Sequence, residues 1–166
     1  VELLPVQLIA LELSIFDSCD GSINLLHLTR LTSLKFQSQW GTTTACITRL
    51  PSQVIKLAVE QSGETKSSAY SRFVVSSLTQ LTALTINDHS METSEELLQL
   101  RALPALQELS LGYTQEDAAL AAAPAWAQLH QLHSIKISGF GCSPSTWANV
   151  CSQLSSLTRL TRLGLL

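Results

Sequence analysis

Charged residues are scarce in this chain of 166 residues, and their scarcity excludes two classes of protein. Only 14% of the residues are charged, 45% are hydrophobic, and the formal net charge is −3. A nucleic-acid-binding domain carries a strongly basic face, and a disordered acidic chain has too little apolar surface to bury. The composition therefore predicts a well-buried globular chain that binds no nucleic acid.

Cysteine is also sparse, and its spacing forms neither a disulfide framework nor a zinc site. Cys19, Cys46, Cys142 and Cys151 fall at irregular separations without a Cys-x-x-Cys pair, and the chain has no Asn-x-Ser/Thr glycosylation sequon. Small secreted domains depend on regular cysteine patterns. We therefore expect a reducing, intracellular location, most simply the cytoplasm.

Long apolar segments are missing as well. The sequence has no run of about twenty apolar residues and no signal peptide, so it predicts no membrane span. The repeat described below reaches both ends of the sequence. We therefore expect the chain to be a segment of a longer protein, or a subunit whose ends are covered.

Motifs for catalysis and cofactor binding cannot be found either. The chain has no P-loop, no Gly-x-Ser-x-Gly elbow and no paired catalytic carboxylates, and Gly139-Phe140-Gly141 lacks the third glycine of a dinucleotide fingerprint. The nearest approach to a metal motif is the pair His130 and His133, which we interpret as ordinary polar positions of the repeat. We predict no catalytic residue, no cofactor and no metal site, so the protein is expected not to be an enzyme.

What the chain does contain is leucine at regular intervals, most clearly from Leu100 to Leu111. The leucines up to Leu106 lie three residues apart, as in a turning segment, whereas Leu109 and Leu111 alternate as in a short strand. Two inward leucines on a strand of three residues cannot be buried within one such unit. The unit is therefore stable only when similar units stack on both sides of it.

The alternating pair recurs seven times along the chain. The first members of successive pairs are 23, 23, 27, 25, 26 and 28 residues apart, which lies within the period of about 20–29 residues that defines leucine-rich repeats. A heptapeptide Leu-Thr-x-Leu-Thr-x-Leu leads into three of the pairs, at 28–34, 78–84 and 157–163. The pairs are Leu11/Leu13, Leu34/Phe36, Leu57/Val59, Leu84/Ile86, Leu109/Leu111, Ile135/Ile137 and Leu163/Leu165.

On these residues the chain resembles a leucine-rich repeat protein over essentially its full length. The resemblance implies one array across residues 1–166: an α/β solenoid, or horseshoe, with a parallel concave sheet of about seven short strands and helices or irregular turns on the convex side. The asparagine or cysteine that the family places three residues after the strand pair is missing. Residues 113–120 are similar to the cysteine-containing subclass found in substrate receptors of ubiquitin ligases, and the threonine-rich heptapeptides resemble repeats of green algal proteins.

Helices are expected mainly in the later repeats. Ser94, followed by two glutamates, has the pattern of a helix start. The alanine-rich segment Gln115–Ala123 predicts a second helix. Pro124 is expected either to end this helix or to start another turn. Ser143 and Pro144 predict a capped third helix with proline at its first position.

The outward positions that flank the inward pairs predict the binding surface. This face is small, polar and nearly balanced in charge, and six strand spacings of about 4.8 Å give it a span of about 30 Å, which suits a helix or an extended peptide. We expect a non-enzymatic protein-interaction or scaffold module with protein partners, as a structural subunit of a multiprotein complex. The candidate partner-binding residues are Glu12, Lys35, Gln37, Glu60, Thr85, Asn87, Ser110, Lys136 and Ser138, with Trp40 on a connecting loop.

Two other interpretations stay open. The face can be merely solvated, because it lacks the aromatic and arginine anchors that dominate protein interfaces. The chain can also be the substrate-recognition part of a ubiquitin-ligase receptor, as the similarity of residues 113–120 implies. Arg30, Arg159 and Arg162 are candidates for contacts at the rim of the face, and the tryptophans other than Trp40 are expected to pack inside.

Overall fold

The structure, a computed structural model, describes residues 4–15, 23–39, 47–62, 77–87, 94–113, 116–139 and 142–166. In these ranges the chain has an α/β fold built on one all-parallel sheet of seven strands, with a separate sheet of two strands and a few helices. The larger sheet contains β1 (Ala10–Ile15), β3 (Ser33–Gln39), β5 (Lys56–Ser62), β6 (Ala83–Asn87), β7 (Glu108–Tyr113), β8 (Ser134–Gly139) and β9 (Arg162–Leu165).

Strands of the larger sheet lie side by side in chain order. Parallel neighbours need a crossover of a dozen or more residues between them, and the repeat period supplies it. All seven predicted pairs are strand residues in one continuous register, in which Leu11 lies beside Leu34, Leu34 beside Leu57, and so on to Leu163 beside Ile135. The prediction of seven parallel strands is confirmed.

Strand length was predicted wrongly. The expected strands of three residues are four to seven residues long, and β3 continues through the polar residues Gln37–Gln39. Backbone hydrogen bonds to the neighbouring strands extend through these polar residues, because pairing depends on the backbone and not on the side chain. Trp40, the next residue, lies outside the described ranges.

The second sheet is a parallel pair, β2 (Ile23–Asn24) and β4 (Ile47–Arg49), that the sequence did not indicate. Its two strands occupy equivalent places in successive repeats, before Leu28 and before Val54. The backbone N–H of Leu25 donates to the carbonyl of Arg49 at 3.2 Å, which continues the pairing. Two such short strands carry no periodicity that a sequence pattern can reveal.

Three helices follow in the later repeats, as predicted: α1 (Ser94–Gln99), which runs into a 3₁₀ turn at Leu100–Ala102, α2 (Glu116–Trp126) and α3 (Pro144–Leu154). Ser143 caps α3, where its hydroxyl accepts from the backbone N–H of Thr146 at 3.3 Å. Pro124 neither ends α2 nor starts a separate turn, because the helix continues through it to Trp126. The helix packs between α1 and α3, and this packing offsets the hydrogen bond that proline removes.

A single apolar core lies on the inner side of the larger sheet. It joins the inward pairs to the leucines of the turning segments and to residues of the helices, including Leu97, Trp126 and Val150, each 0% exposed. The two edge strands bury their pairs less well: Leu11 and Leu13 are half-buried, and Leu163 is 47% exposed. Each pair is thus covered by the strands on either side of it.

Backbone carbonyls just before the strands connect each repeat to the next. The carbonyl of Ile55, for example, accepts from the N–H groups of Thr82 at 2.8 Å and Ala83 at 3.2 Å. The same double acceptance occurs at the carbonyls of Ile9, Thr32, Thr82, Gln107 and His133. This ladder fixes the register of successive strands.

Candidate functional site

The face of the larger sheet opposite the core carries three rows of side chains, which we call the open face. Successive side chains of a strand point to opposite faces, so the register that buries the apolar pairs turns the intervening residues outward. All of them are half-buried or exposed. The first row is Ala10, Ser33, Lys56, Ala83, Glu108, Ser134 and Arg162; the second is Glu12, Lys35, Ala58, Thr85, Ser110, Lys136 and Gly164; the third is Ser14, Gln37, Glu60, Asn87, Gly112 and Ser138.

Nine of the ten predicted binding residues lie on this one surface. Glu12, Lys35, Thr85, Ser110 and Lys136 belong to the second row. Gln37, Glu60, Asn87 and Ser138 belong to the third row. The tenth, Trp40, is outside the part of the chain that the structure describes.

The first row was missed by sequence reasoning. It adds three exposed charged side chains, Lys56, Glu108 and Arg162. Each precedes the first residue of an inward pair by one position, so the signal was the same alternation extended by one residue toward the N-terminus. Arg162 was expected at the rim but is a strand residue of the face itself.

A connected polar network occupies the N-terminal part of the open face. The Lys35 Nζ lies 3.3 Å from Glu12 Oε1 and 3.3 Å from Glu60 Oε2, so one amine bridges carboxylates on both neighbouring strands. The Ser14 hydroxyl donates to Gln37 Oε1 at 3.2 Å, and Gln37 Nε2 donates to Glu60 Oε2 at 2.7 Å. These side chains satisfy one another, which fixes their geometry before any partner binds.

The electrostatics of this network centre on Lys35. Its hydrogen bonds to Glu60 and then to Glu12 raise the pKa of the amine, and desolvation opposes them only weakly. Because a favourable partner for the charged form raises the pKa of a base, Lys35 stays protonated at physiological pH. The network therefore presents one cation between two anions.

The C-terminal part of the face is flatter. A Cβ added at Gly112 would lie 3.4 Å from Ser138 Oγ and 3.6 Å from Asn87 Oδ1, so these two polar groups flank the glycine from both sides. A Cβ added at Gly164 would lie 3.5 Å from Lys136 Cγ, which places the lysine stem beside that glycine. The two glycines leave the sheet backbone accessible between polar side chains.

Histidine and cysteine do not assemble into a metal centre in the described ranges, where no group of three or more His, Cys, Asp and Glu side chains comes together. His130 and His133 are exposed, and the backbone of His133 takes part in the carbonyl ladder, as its repeat position predicted. Cys151 is a free thiol. Trp126 is fully buried and Trp147 packs against the core, as expected.

Tyr113 is a buried phenol at the end of β7, beneath the helices. It is 3% exposed, and burial raises the pKa of its hydroxyl well above the usual value. The Trp126 indole is close enough to oppose this shift of the pKa, but neither the phenol oxygen nor the indole nitrogen has a hydrogen-bond partner among the described residues. The phenol is thus kept neutral inside the core, away from the open face.

Within the described ranges, none of the helices has the length and apolar character needed to cross a bilayer. No protein-family model matches the chain, and no curated protein matches its sequence significantly.

Proposed function

We propose that this chain is a leucine-rich repeat solenoid that acts as a non-enzymatic protein-interaction module, with the open face as the partner-binding surface. The observation that supports this most directly is the unbroken parallel register of seven strands. Six spacings of about 4.8 Å make a surface about 30 Å across, and a stack in which each repeat contacts its neighbours holds that surface rigid. Rigidity lowers the conformational entropy that the surface itself loses when a partner binds.

The chemistry of the open face supports binding better than catalysis. Its charged side chains are half-buried or exposed, and Lys35 is neutralised by two carboxylates at 3.3 Å. Catalytic groups are usually desolvated and have pKa values displaced toward their task. The pKa of Lys35 is instead displaced away from neutrality, which leaves the amine a fixed positive charge suited to recognition.

Site-specific photocrosslinking tests this proposal. A photoreactive amino acid replaces Thr85, which lies on β6 at the centre of the open face, and in a matched variant it replaces Asn149, which is exposed on α3. In extracts of the source cells we expect discrete crosslinked products from position 85 and none of the same products from position 149. Equal products from both positions, or none from position 85, would contradict the open-face model.

The crosslinked partner is then purified, and its affinity is measured by calorimetry against Lys35→Ala and Glu60→Ala. Each substitution removes a shared member of the polar network, so we expect weaker binding with little change in the unfolding midpoint, because surface ion pairs add little to stability. Unchanged affinity in both variants would exclude the network from the interface.

A further inference from the structure

The charges of this chain are distributed unevenly along the sequence. All of the aspartate and glutamate residues lie at or before Asp117, whereas residues 118–166 contain Lys136, Arg159 and Arg162 and no acidic residue. The chain as a whole has a net charge of −3, so residues 118–166 form a basic segment of an otherwise acidic sequence. All three cations are exposed in the structure.

Two of these cations lie close together on the open face. In the pairing of β8 with β9, Ser134 lies beside Arg162 and Lys136 beside Gly164, so Lys136 and Arg162 are diagonal neighbours. One strand spacing and two residues along the strand separate their Cα atoms by about 8 Å. Arg159 lies three residues before Arg162, where the chain enters β9.

These cations differ from Lys35 in having no carboxylate partner. Lys35 contacts two glutamates, but neither Lys136 nor Arg162 has an ion pair with any residue in the described ranges. The nearest acidic side chain in register is Glu108, which is two strands from Arg162 and is a diagonal neighbour of Lys136 on the adjacent β7, without an ion pair to either. A pair of unneutralised cations beside an open glycine surface attracts an anion from outside the chain.

We propose that Lys136 and Arg162, with Arg159 at the entry to β9, bind an acidic segment of a protein partner in an extended conformation. This rests on the proposed function and specifies the partner's chemistry. Alternate side chains of an extended peptide lie on one side about 6.6 Å apart, close to the spacing of the two cations. Carboxylates at positions i and i+2 of the segment therefore reach Lys136 and Arg162 together, and the guanidinium can hold its carboxylate with two parallel hydrogen bonds.

Small residues beside the cations allow the peptide backbone to approach. Ser110, Gly112, Ser138 and Gly164 form the surface next to Lys136, and a Cβ at Gly164 would already be in contact with the lysine stem. Asn87 and Ser138 flank Gly112 with an amide and a hydroxyl. An extended segment can thus place its backbone over the glycines while its carboxylates meet the cations.

A peptide is favoured over a nucleic acid by the number of cations. Proteins that depend on phosphate contacts commonly neutralise about six to ten phosphates, and this end of the molecule offers three cations.

Fluorescence polarisation tests the proposal with the whole chain of 166 residues. The probe is a labelled peptide in which four glutamates alternate with four serines, and the comparison peptide has glutamine in place of glutamate. We expect the glutamate peptide to bind at about 50 mM salt. Near 300 mM salt it should bind about tenfold more weakly, because salt screens exposed charges. The glutamine peptide should not bind. A labelled oligothymidine of eight nucleotides completes the set and should bind more weakly than the glutamate peptide.

Charge reversal locates the site. We expect Lys136→Glu and Arg162→Glu each to weaken binding of the glutamate peptide about tenfold, and the neutral variants Lys136→Gln and Arg162→Gln to weaken it by a smaller factor. The matched control is Lys56→Glu. Lys56 lies on β5, in the same row of the open face as Arg162, and its substitution changes the charge by the same amount. Because Lys56 is far from the site, Lys56→Glu should change the affinity for the peptide less than about twofold. Far-UV circular dichroism confirms that each variant is folded.

Three results would overturn the inference: no binding of the glutamate peptide, an equal loss from Lys56→Glu, or tighter binding of oligothymidine. If the glutamate peptide does not bind but position 85 gives crosslinks, the proposal of an acidic partner segment is wrong and the proposed interaction function stands. If the peptide binds at Lys136 and Arg162 but position 85 gives no crosslink, the acidic site stands and the proposal that a partner covers the centre of the open face is wrong.

Discussion

Leu109→Ala tests directly whether the stacked leucine pairs stabilise the sheet. Leu109 is 2% exposed and lies between Leu84 and Ile135, each 1% exposed, in the same register. The substitution removes three carbon atoms, which at about 0.8 kcal/mol each is a loss of about 2.4 kcal/mol in transfer free energy. β7 is hydrogen-bonded to strands on both sides, so the backbone cannot collapse into the cavity, and we expect a total loss of about 3–4 kcal/mol.

The same row supplies a matched control. Leu163 occupies the equivalent position on β9 but is 47% exposed. Its truncation removes about half as much buried apolar surface and leaves no closed cavity. We therefore expect Leu163→Ala to lower the free energy of unfolding by about 1 kcal/mol. The difference of about 2 kcal/mol arises from the covering strand and not from the residue type.

Urea unfolding measures both losses. Far-UV circular dichroism follows the backbone of the whole chain, and fluorescence follows the surroundings of Trp40, Trp126 and Trp147. Repeat arrays can unfold in parts, so the two signals must coincide before a free energy is taken from either. The reasoning fails if Leu163→Ala costs as much as Leu109→Ala, or if Leu109→Ala costs less than about 1 kcal/mol.

Three further predictions concern single contacts. Gly139→Ala should lower the free energy of unfolding by about 1–3 kcal/mol, because the new Cβ would lie 2.9 Å from the thiol of Cys142 and 3.1 Å from the indole of Trp147. Gly112→Ala is the control and should change the free energy of unfolding little, because its Cβ would have no contact below 3.4 Å. Thermal unfolding compares the two variants. Burial raises the pKa of Tyr113 in the folded state, so above about pH 10 only the unfolded state loses the phenolic proton, and the free energy of unfolding falls. Urea titrations at several pH values measure this fall. Tyr113→Phe should remove the part of it that comes from Tyr113. Thr82→Val should lower the free energy of unfolding by less than about 1 kcal/mol. The hydroxyl of Thr82 donates to the carbonyl of Ile55 at 3.3 Å, and that carbonyl keeps two backbone donors in the variant. Thr79→Val, at an exposed position, is the control and should have no measurable effect.

Sequence periodicity predicted the sheet because burial and alternation coincide in it. Each inward pair of the five inner strands, such as Leu84 and Ile86, is two residues apart and nearly fully buried, so a slip of one residue would expose both side chains. Seven such pairs permit one common register. The polar residues Gln37–Gln39 carry no comparable signal, and backbone pairing with β5, and with β1 as far as Ser38, makes them part of a strand.

The open face was predicted in part for the same reason. Residues between and after the inward pairs were identified, but Lys56, Glu108 and Arg162 precede their pairs by one position and depend on where each strand begins. Strand starts follow from hydrogen bonds between repeats, and no side-chain pattern specifies them. The ion pairs of Lys35 likewise require side-chain directions that a linear sequence does not contain.

The repeated threonines and the unrepeated charges have different roles. Thr32, Thr82 and Thr161 recur in the heptapeptide, and each donates its hydroxyl to a carbonyl of the preceding repeat at 3.1–3.3 Å. A residue that recurs at equivalent positions of several repeats serves the contact between repeats, which is the same in each of them. Lys136 and Arg162 have no equivalent cation on the neighbouring β7, where their rows contain Ser110 and Glu108. Stacking does not require such side chains, so they are available to the acidic segment proposed above.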